Sequence, residues 1–179
     1  MSGQSASDWR SIAPPIVFDD ESIEALAETI WDIHKNVVSN AGFDLTEVIS
    51  EQQRKNRIGK VQSVLNPVFA PIFGESPIDR YTDIFDQVSD FADHLANRHI
   101  FADGNKRTTV IMSIAILSVK SAMIDVVDSP SPDQNEIYRW IQDIVTGNRN
   151  KSELADFLRK HAEYVPYEQH PQSNSETGE

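Results

Sequence analysis

The segment that most restricts the fold of this chain is its longest apolar run, TTVIMSIAILSV at residues 108–119. On a helix this run is apolar on nearly every side, which is typical of a helix enclosed by other helices. It is too short to cross a membrane, and Ser113 interrupts it. The sequence therefore predicts a buried central helix, and the rest of the chain has to supply the helices that cover it.

Five other segments have the spacing of helices with one apolar face. They run over residues 23–37, 45–65, 82–98, 137–144 and 152–161. The second of them contains a highly charged stretch, EQQRKNR at 51–57, which is a candidate break in the helix. These segments together predict a single all-α domain of about six helices, a helical bundle over residues 16–165.

One segment departs from helical spacing. Residues 66–81, NPVFAPIFGESPIDRY, hold three prolines and a glycine among residues that favour strands. Because proline cannot donate to a ladder, a long central strand is unfavourable here, and we predict a small β-hairpin or an extended loop. Residues 1–15 are predicted to form a flexible N-terminal lead, and the polar residues 166–179 are predicted to form a disordered tail.

Charge and cysteine content restrict the class of function. The net charge of −12 disfavours nonspecific binding to nucleic acid or to anionic lipid, so we expect no direct nucleic-acid binding and no membrane partner. The sequence contains no cysteine, which excludes disulfides and thiolate metal sites and favours a reducing, cytoplasmic setting. It also lacks the glycine-rich loop of P-loop enzymes and the motifs of ordinary protein kinases.

The stretch HIFADGNKRT, residues 99–108, joins two predicted helices and concentrates chemically active residues. Gly104 permits backbone angles that a β-carbon forbids, and Asn105 is a candidate cap for the following helix. The N-terminus of a helix attracts anions, phosphate above all. Lys106 and Arg107 add positive charge on the first turn, where an anionic ligand would compensate them. This pattern indicates an anion-binding site.

Two further residues extend the chemistry of this stretch. Asp103 offers a hard oxygen ligand that suits Mg²⁺ shared with substrate phosphates. His99 offers an imidazole that can take a proton from an attacking hydroxyl. Phe101 is expected to anchor the loop in the core. Together these residues supply the parts for phosphoryl or nucleotidyl transfer. The alternative is an ordinary helix-loop-helix turn with solvated charges.

The same stretch resembles the signature of the Fic/Doc family, His-x-Phe-x-Asp/Glu-Gly/Ala-Asn-x-Arg, which residues 99–107 match at every fixed position. The resemblance extends over roughly residues 20–125 and implies the helical fold of that family. Residues 66–81 stand where family members carry a flap, a segment that pairs with an extended stretch of the target protein.

The resemblance also implies roles for single residues. His99 would be the general base, and Asp103 would bind Mg²⁺. Gly104 and Asn105 would contribute to the cradle that binds the phosphates of ATP. Arg107 would contact a distal phosphate and assist catalysis.

Lys106 bears on which group is transferred. Family members that transfer AMP usually have Gly-Asn-Gly-Arg, whereas this chain has Gly-Asn-Lys-Arg. The lysine form is similar to that of Doc, or death-on-curing, toxins, which transfer the γ-phosphate of ATP to a threonine of elongation factor Tu and stop translation. The resemblance therefore implies a Doc-like toxin kinase that uses ATP and Mg²⁺, with Lys106 at the ATP site. Protein adenylylation and a noncatalytic, partner-binding role are the alternatives.

The resemblance further implies how the activity is controlled. Many Fic proteins are inhibited by a helix with the motif Ser/Thr-x-x-x-Glu-Gly/Asn. The only serine or threonine followed four places later by glutamate is Ser175, before Glu179 at the end of the sequence. We therefore expect no self-inhibition of that kind and a separate antitoxin that binds in trans.

Overall fold

The computed structural model describes residues 6–40, 50–127 and 129–166. Its elements are α1 (Ala6–Ile12), α2 (Asp20–Asn40), α3 (Glu51–Phe69), α4 (Pro77–Arg80), α5 (Ile84–Asn97), α6 (Asn105–Val119), β1 (Ala122–Ile124), a 3-10 turn (Pro132–Gln134), α7 (Glu136–Val145), α8 (Lys151–Lys160) and β2 (Ala162–Tyr164). Six helices in these ranges have ten or more residues. The predicted helical bundle of about six helices with one small β element is confirmed.

The centre of the bundle is α5 rather than α6. The apolar residues Ile84, Phe85, Val88, Phe91 and Leu95 of α5 are fully buried, and this helix packs against α3, α6, α7 and α8. In α6, by contrast, Ile111 and Val119 are 43 % and 75 % exposed. The prediction of an enclosed helix over residues 108–119 is therefore only partly right, because one side of α6 faces outward.

The segment predicted to be a flexible lead contains helix α1. Trp9 is buried and meets the ring of Phe85 edge-on, with 5.0 Å between the ring centroids. The carbonyl of Ala13 accepts a hydrogen bond from the backbone N–H of Ile84, at 3.0 Å. A further long-range link comes from the buried Gln87, whose side chain bonds to both backbone groups of Ile16. Residues 6–16 therefore cover the start of α5.

The charged stretch 51–57 is the first part of α3 and does not break it. Ser50 caps this helix, accepting from the backbone N–H of Gln53 at 3.2 Å, while the Gln53 side chain accepts from the N–H of Ser50. This capping box fixes the start of the helix. The predicted start at residue 45 lies outside the described residues.

The segment 66–81 forms less β structure than predicted. Its first residues still belong to α3, and its last ones form the short helix α4. Between them, Ile72 and Glu75 exchange two backbone hydrogen bonds of 2.9 Å, which close a tight turn at Phe73 and Gly74, both with positive φ. Prolines at 71 and 77 limit any longer ladder. We call residues 71–76 the flap turn.

The two-stranded antiparallel sheet lies elsewhere. Strand β1 pairs with β2 in the register Ala122↔Tyr164 to Ile124↔Ala162. This sheet joins the end of α6 to the end of α8 and so ties the last part of the described chain to the bundle. Asn150 caps α8, so this helix begins one residue before the predicted segment 152–161. Of the predicted disordered tail, only Pro166 lies within the described residues.

No helix in the described ranges has the length and apolar content needed to span a bilayer.

Candidate active site

Residues 98–104 connect α5 to α6 and are anchored from below by one aromatic side chain. Phe101 is 5 % exposed, which confirms the expected anchor in the core. Its ring stacks on the imidazole of His34 in α2, with centroids 3.7 Å apart and planes 7° from parallel. The ring of Trp31 lies 6.1 Å away on the same helix. The loop therefore rests on α2 through an aromatic stack.

Asn105 closes the loop but does not cap α6 as predicted. The N-cap position is Gly104, with φ of +76°, and no side chain of the described residues bonds to this helix start as a cap. The amide of Asn105 instead donates to the carbonyl of Phe101 at 2.7 Å and accepts from its N–H at 3.1 Å. The side chain holds the loop, so the first N–H groups of α6 have no side-chain cap among the described residues and are available to a ligand.

Gly104 lies against α2 so closely that the loop depends on its lack of a side chain. A β-carbon at this position would stand 3.1 Å from Cγ2 of Val38 and 3.3 Å from Cε1 and Nδ1 of His34. The left-handed backbone is also one that glycine adopts without strain. The predicted conformational role of Gly104 is therefore observed, and the close approach to α2 gives a second reason for glycine.

The six residues singled out from the sequence line a single cavity of about 340 Å³. They are His99, Asp103, Gly104, Asn105, Lys106 and Arg107. His99 is exposed and has φ of +47°, a left-handed conformation that costs energy for a residue with a β-carbon. Strain of this kind is frequent where a loop has to present a reactive side chain.

Lys106 turns away from solvent toward α7. Its ammonium group donates to Oε1 of Gln142 at 2.5 Å, and the lysine is half-buried. Arg107, one residue later, is exposed. The cavity thus has one cation fixed by a second helix and one cation at its open side.

His34 is a buried residue beneath the loop, and it lies outside the residues that line the cavity. It is 7 % exposed, and its Nδ1 lies 3.4 Å from the hydroxyl of Thr108. Burial lowers the pKa of His34 to about 4, the positive charge of Arg57 acts in the same direction, and Asp103 opposes both. His34 is therefore a buried, neutral histidine at pH 7.

The donor set of the cavity fits a magnesium ion only if a ligand completes it. Among the described residues that line the cavity, Asp103 is the one carboxylate, and its Oδ1 accepts from the N–H of Gly104 at 2.6 Å. Nowhere in the described ranges do three His, Cys, Asp or Glu side chains form a metal-binding group. Mg²⁺ is commonly held by one or two carboxylates together with substrate phosphates and water.

Residues of α7 that sequence analysis did not select complete the cavity. Tyr138 and Val145 line it, and Gln142 positions Lys106. Spacings of four and three place these three residues on the same face of α7. The spacing of these residues is visible in the sequence, and it defines a face of α7 other than the buried stripe of Ile137, Ile141 and Ile144. It did not show that the second face meets the loop.

A sequence model of the Fic/DOC family matches residues 24–117, slightly more than half of the chain, and the matched region contains the whole loop. No curated protein and no solved structure matched the chain. Members of the matched family generally transfer nucleotide-derived groups to proteins. The chain belongs to the Fic/DOC family.

Proposed function

We propose that this protein is a Doc-like kinase, which transfers the γ-phosphate of ATP to a hydroxyl group of another protein. The observation that carries the proposal is the start of α6. It has no side-chain cap among the described residues, and His99, Asp103, Lys106 and Arg107 surround it in one cavity. A helix start with free N–H groups and two cations favours a polyphosphate, and a nearby imidazole favours proton transfer.

The residues divide the work of the reaction. Gly104 and Asn105 fix the conformation of the backbone before α6, and the N–H groups at the start of this helix bind phosphate oxygens. Lys106 and Arg107 stabilise the charge that builds up on the transferred group and on the leaving group. His99 takes the proton of the acceptor hydroxyl as its oxygen attacks the γ-phosphorus. The bond between that phosphorus and the β,γ-bridging oxygen breaks, and ADP leaves with the electron pair.

Asp103 would hold Mg²⁺ together with the phosphates, and the ion would neutralise charge on the phosphate oxygens. The exposed position of the Asp103 carboxylate supports this assignment. Its hydrogen bond with the N–H of Gly104 fixes the carboxylate beside the start of α6.

Lys106 supports phosphate transfer over AMP transfer. A glycine at this position leaves room for a phosphate against the backbone, but here the lysine side chain occupies the wall of the cavity and is fixed by Gln142. The ammonium group favours a phosphate that lies farther from the backbone. Protein adenylylation is the second candidate, because family membership alone is compatible with both reactions.

The flap turn is the proposed docking point of the target protein. Phe73 at its tip is fully exposed, so an apolar side chain is available to a partner at the position expected for a flap. We propose a translation factor such as elongation factor Tu as the substrate, an antitoxin that acts in trans, and arrest of translation as the result.

Labelled ATP tests the proposal directly. The full-length protein is incubated with a cell lysate and either γ-labelled or α-labelled ATP. We expect γ-label on one protein and an added mass of about 80 Da, against about 329 Da for AMP transfer. His99→Ala should abolish the label, while Arg98→Ala, a neighbouring exposed position outside the lining of the cavity, should retain it.

Other outcomes identify the alternatives. α-Label that depends on His99 would replace the kinase proposal with adenylylation. If neither nucleotide labels a protein and expression slows bacterial growth equally for the wild type and His99→Ala, a noncatalytic role is favoured.

A further inference from the structure

Lys106 is held at the wall of the candidate active site by an acceptor that carries no charge. Its ammonium group donates to Oε1 of Gln142 in α7, at 2.5 Å. In the pair between Lys35 and Asp32, by contrast, the acceptor is a carboxylate, at 2.6 Å. A carboxylate neutralises the cation that it holds, whereas an amide oxygen fixes the cation and leaves its charge in place. Lys106 therefore combines a fixed position with its positive charge.

The two polar faces of α7 separate charged from neutral side chains. The three charged residues of this helix all line a separate cavity of about 170 Å³: Glu136, Arg139 and Asp143. The residues of α7 that line the candidate active site, Tyr138 and Val145, are neutral, as is Gln142 beside Lys106. In a chain with 28 acidic residues, this arrangement keeps the carboxylates of α7 out of the cavity that Lys106 lines.

The position of Gln142 restricts how it can act. It is half-buried and is not among the described residues that line the cavity, so a ligand in the cavity would meet Lys106 rather than Gln142. An effect of Gln142 on the reaction therefore has to pass through Lys106. Helix α7 also lies outside the matched region 24–117, so the family match does not include this residue.

We propose that Gln142 is a positioning residue that keeps the charge of Lys106 available to the bound anion. The amide oxygen directs the ammonium group, and because it is neutral it does not compete with phosphate groups for the charge. This inference rests on the proposed function, since the anion is the polyphosphate of ATP. It holds for either reaction, phosphate transfer or AMP transfer.

Gln142→Glu tests the importance of a neutral acceptor, because glutamate has nearly the same shape and accepts the same hydrogen bond. Calorimetry on the full chain measures the binding of inorganic tripolyphosphate with Mg²⁺. We expect Gln142→Glu to weaken this binding about tenfold or more, while urea unfolding shows no loss of stability. Gln62→Glu makes the same change at a half-buried position of α3, outside the lining of the cavity, and should change the affinity less than about twofold. Unchanged affinity in Gln142→Glu would overturn the proposal.

A double-mutant cycle tests whether Gln142 acts through Lys106. Gln142→Leu alone should weaken tripolyphosphate binding about threefold or more, because the ammonium group loses its fixed position. In a Lys106→Met background the same substitution should have almost no further effect. Equal losses in both backgrounds would assign Gln142 a merely structural role and overturn the proposal.

The wild type separates this inference from the function on which it rests. If the wild type bound neither ATP nor tripolyphosphate, the proposed function would fail and this inference with it. If the wild type bound both and the two Gln142 variants bound them equally well, only the inference about Gln142 would be refuted.

Discussion

Replacement of Gly104 by alanine probes the packing of the reaction loop on α2. The substitution forces alanine into a left-handed backbone with φ of +76°, which costs roughly 1–2 kcal/mol. It also brings the new β-carbon to 3.1 Å from Val38 and 3.3 Å from His34, where about 3.5–4.0 Å is optimal. His34 is held by the stack on Phe101 and by Thr108, so it cannot move aside without loss of those contacts.

The expected loss follows from these two contributions. Overpacking of a well-packed site costs about 1–3 kcal/mol, so the two contributions add to about 2–5 kcal/mol. After the entropy gained from the unfolded chain, Gly104→Ala should lower the free energy of unfolding by about 1–4 kcal/mol. Gly147 is the matched control, because it has φ of +74° but no neighbouring atom within 4 Å of the point where a β-carbon would stand. Gly147→Ala should cost only the backbone contribution, about 1 kcal/mol after the entropy gained from the unfolded chain.

Urea unfolding of the three proteins provides the measurement, with the midpoints compared at unchanged slope. Gly59→Ala adds a control of opposite sign, since Gly59 lies inside α3 with open space around it. It should stabilise the protein by about 0.5–1 kcal/mol. Equal losses for Gly104→Ala and Gly147→Ala would show that the loop does not lie against α2, and the account of the site would fail.

Three further predictions concern other parts of the molecule. The pKa of His34 is lowered to about 4 in the folded protein, so between pH 6.5 and 4 the unfolded chain binds more protons than the folded one. The free energy of unfolding should therefore fall by up to about 3 kcal/mol as the pH drops through that window. Denaturant titrations at a series of pH values should show a flatter pH dependence for His34→Gln. Arg159→Ala should lower the free energy of unfolding by about 3 kcal/mol, because it leaves the fully buried Asp83 carboxylate without its cation. Lys160→Ala, at an exposed neighbouring position, should change the unfolding midpoint little. Similarly small effects of the two substitutions would refute the buried ion pair. Phe73→Ala should leave the free energy of unfolding within about 0.5 kcal/mol and ATP affinity unchanged, while γ-label on the target protein decreases; undiminished labelling would exclude Phe73 from target docking.

The helices with a regular apolar stripe could be predicted from the sequence, because the period of such a stripe is a local property. Residues 82–98 predicted α5 to within two residues at each end. Helix α1 was missed because Trp9 is stabilised by a partner 76 positions away, Phe85, and seven residues carry no period of their own. The interior position of α5 was missed for a related reason: apolar content does not tell which helix other elements cover.

The candidate site was predictable to the extent that it is contiguous in sequence. The six residues of the stretch 99–107 that were selected for catalysis or ligand binding line one cavity. The prediction that Asn105 caps α6 was wrong. An asparagine before a helix can bond either to the helix start or to the preceding loop, and here it bonds to the backbone of Phe101, whose ring is buried. The contribution of Gln142 depends on how α7 packs against α6, which no local pattern encodes.

The junction between the matched region and the rest of the chain has a practical consequence. The match ends at Leu117, inside α6, yet Arg159 from α8 neutralises Asp83 within the matched part, and Gln142 from α7 holds Lys106. The region that matches the family is therefore shorter than the part of the chain that has to fold as one unit. A fragment trimmed to residues 24–117 would retain every residue of the motif but would lose the cation that pairs with the buried Asp83 and the side chain that holds Lys106.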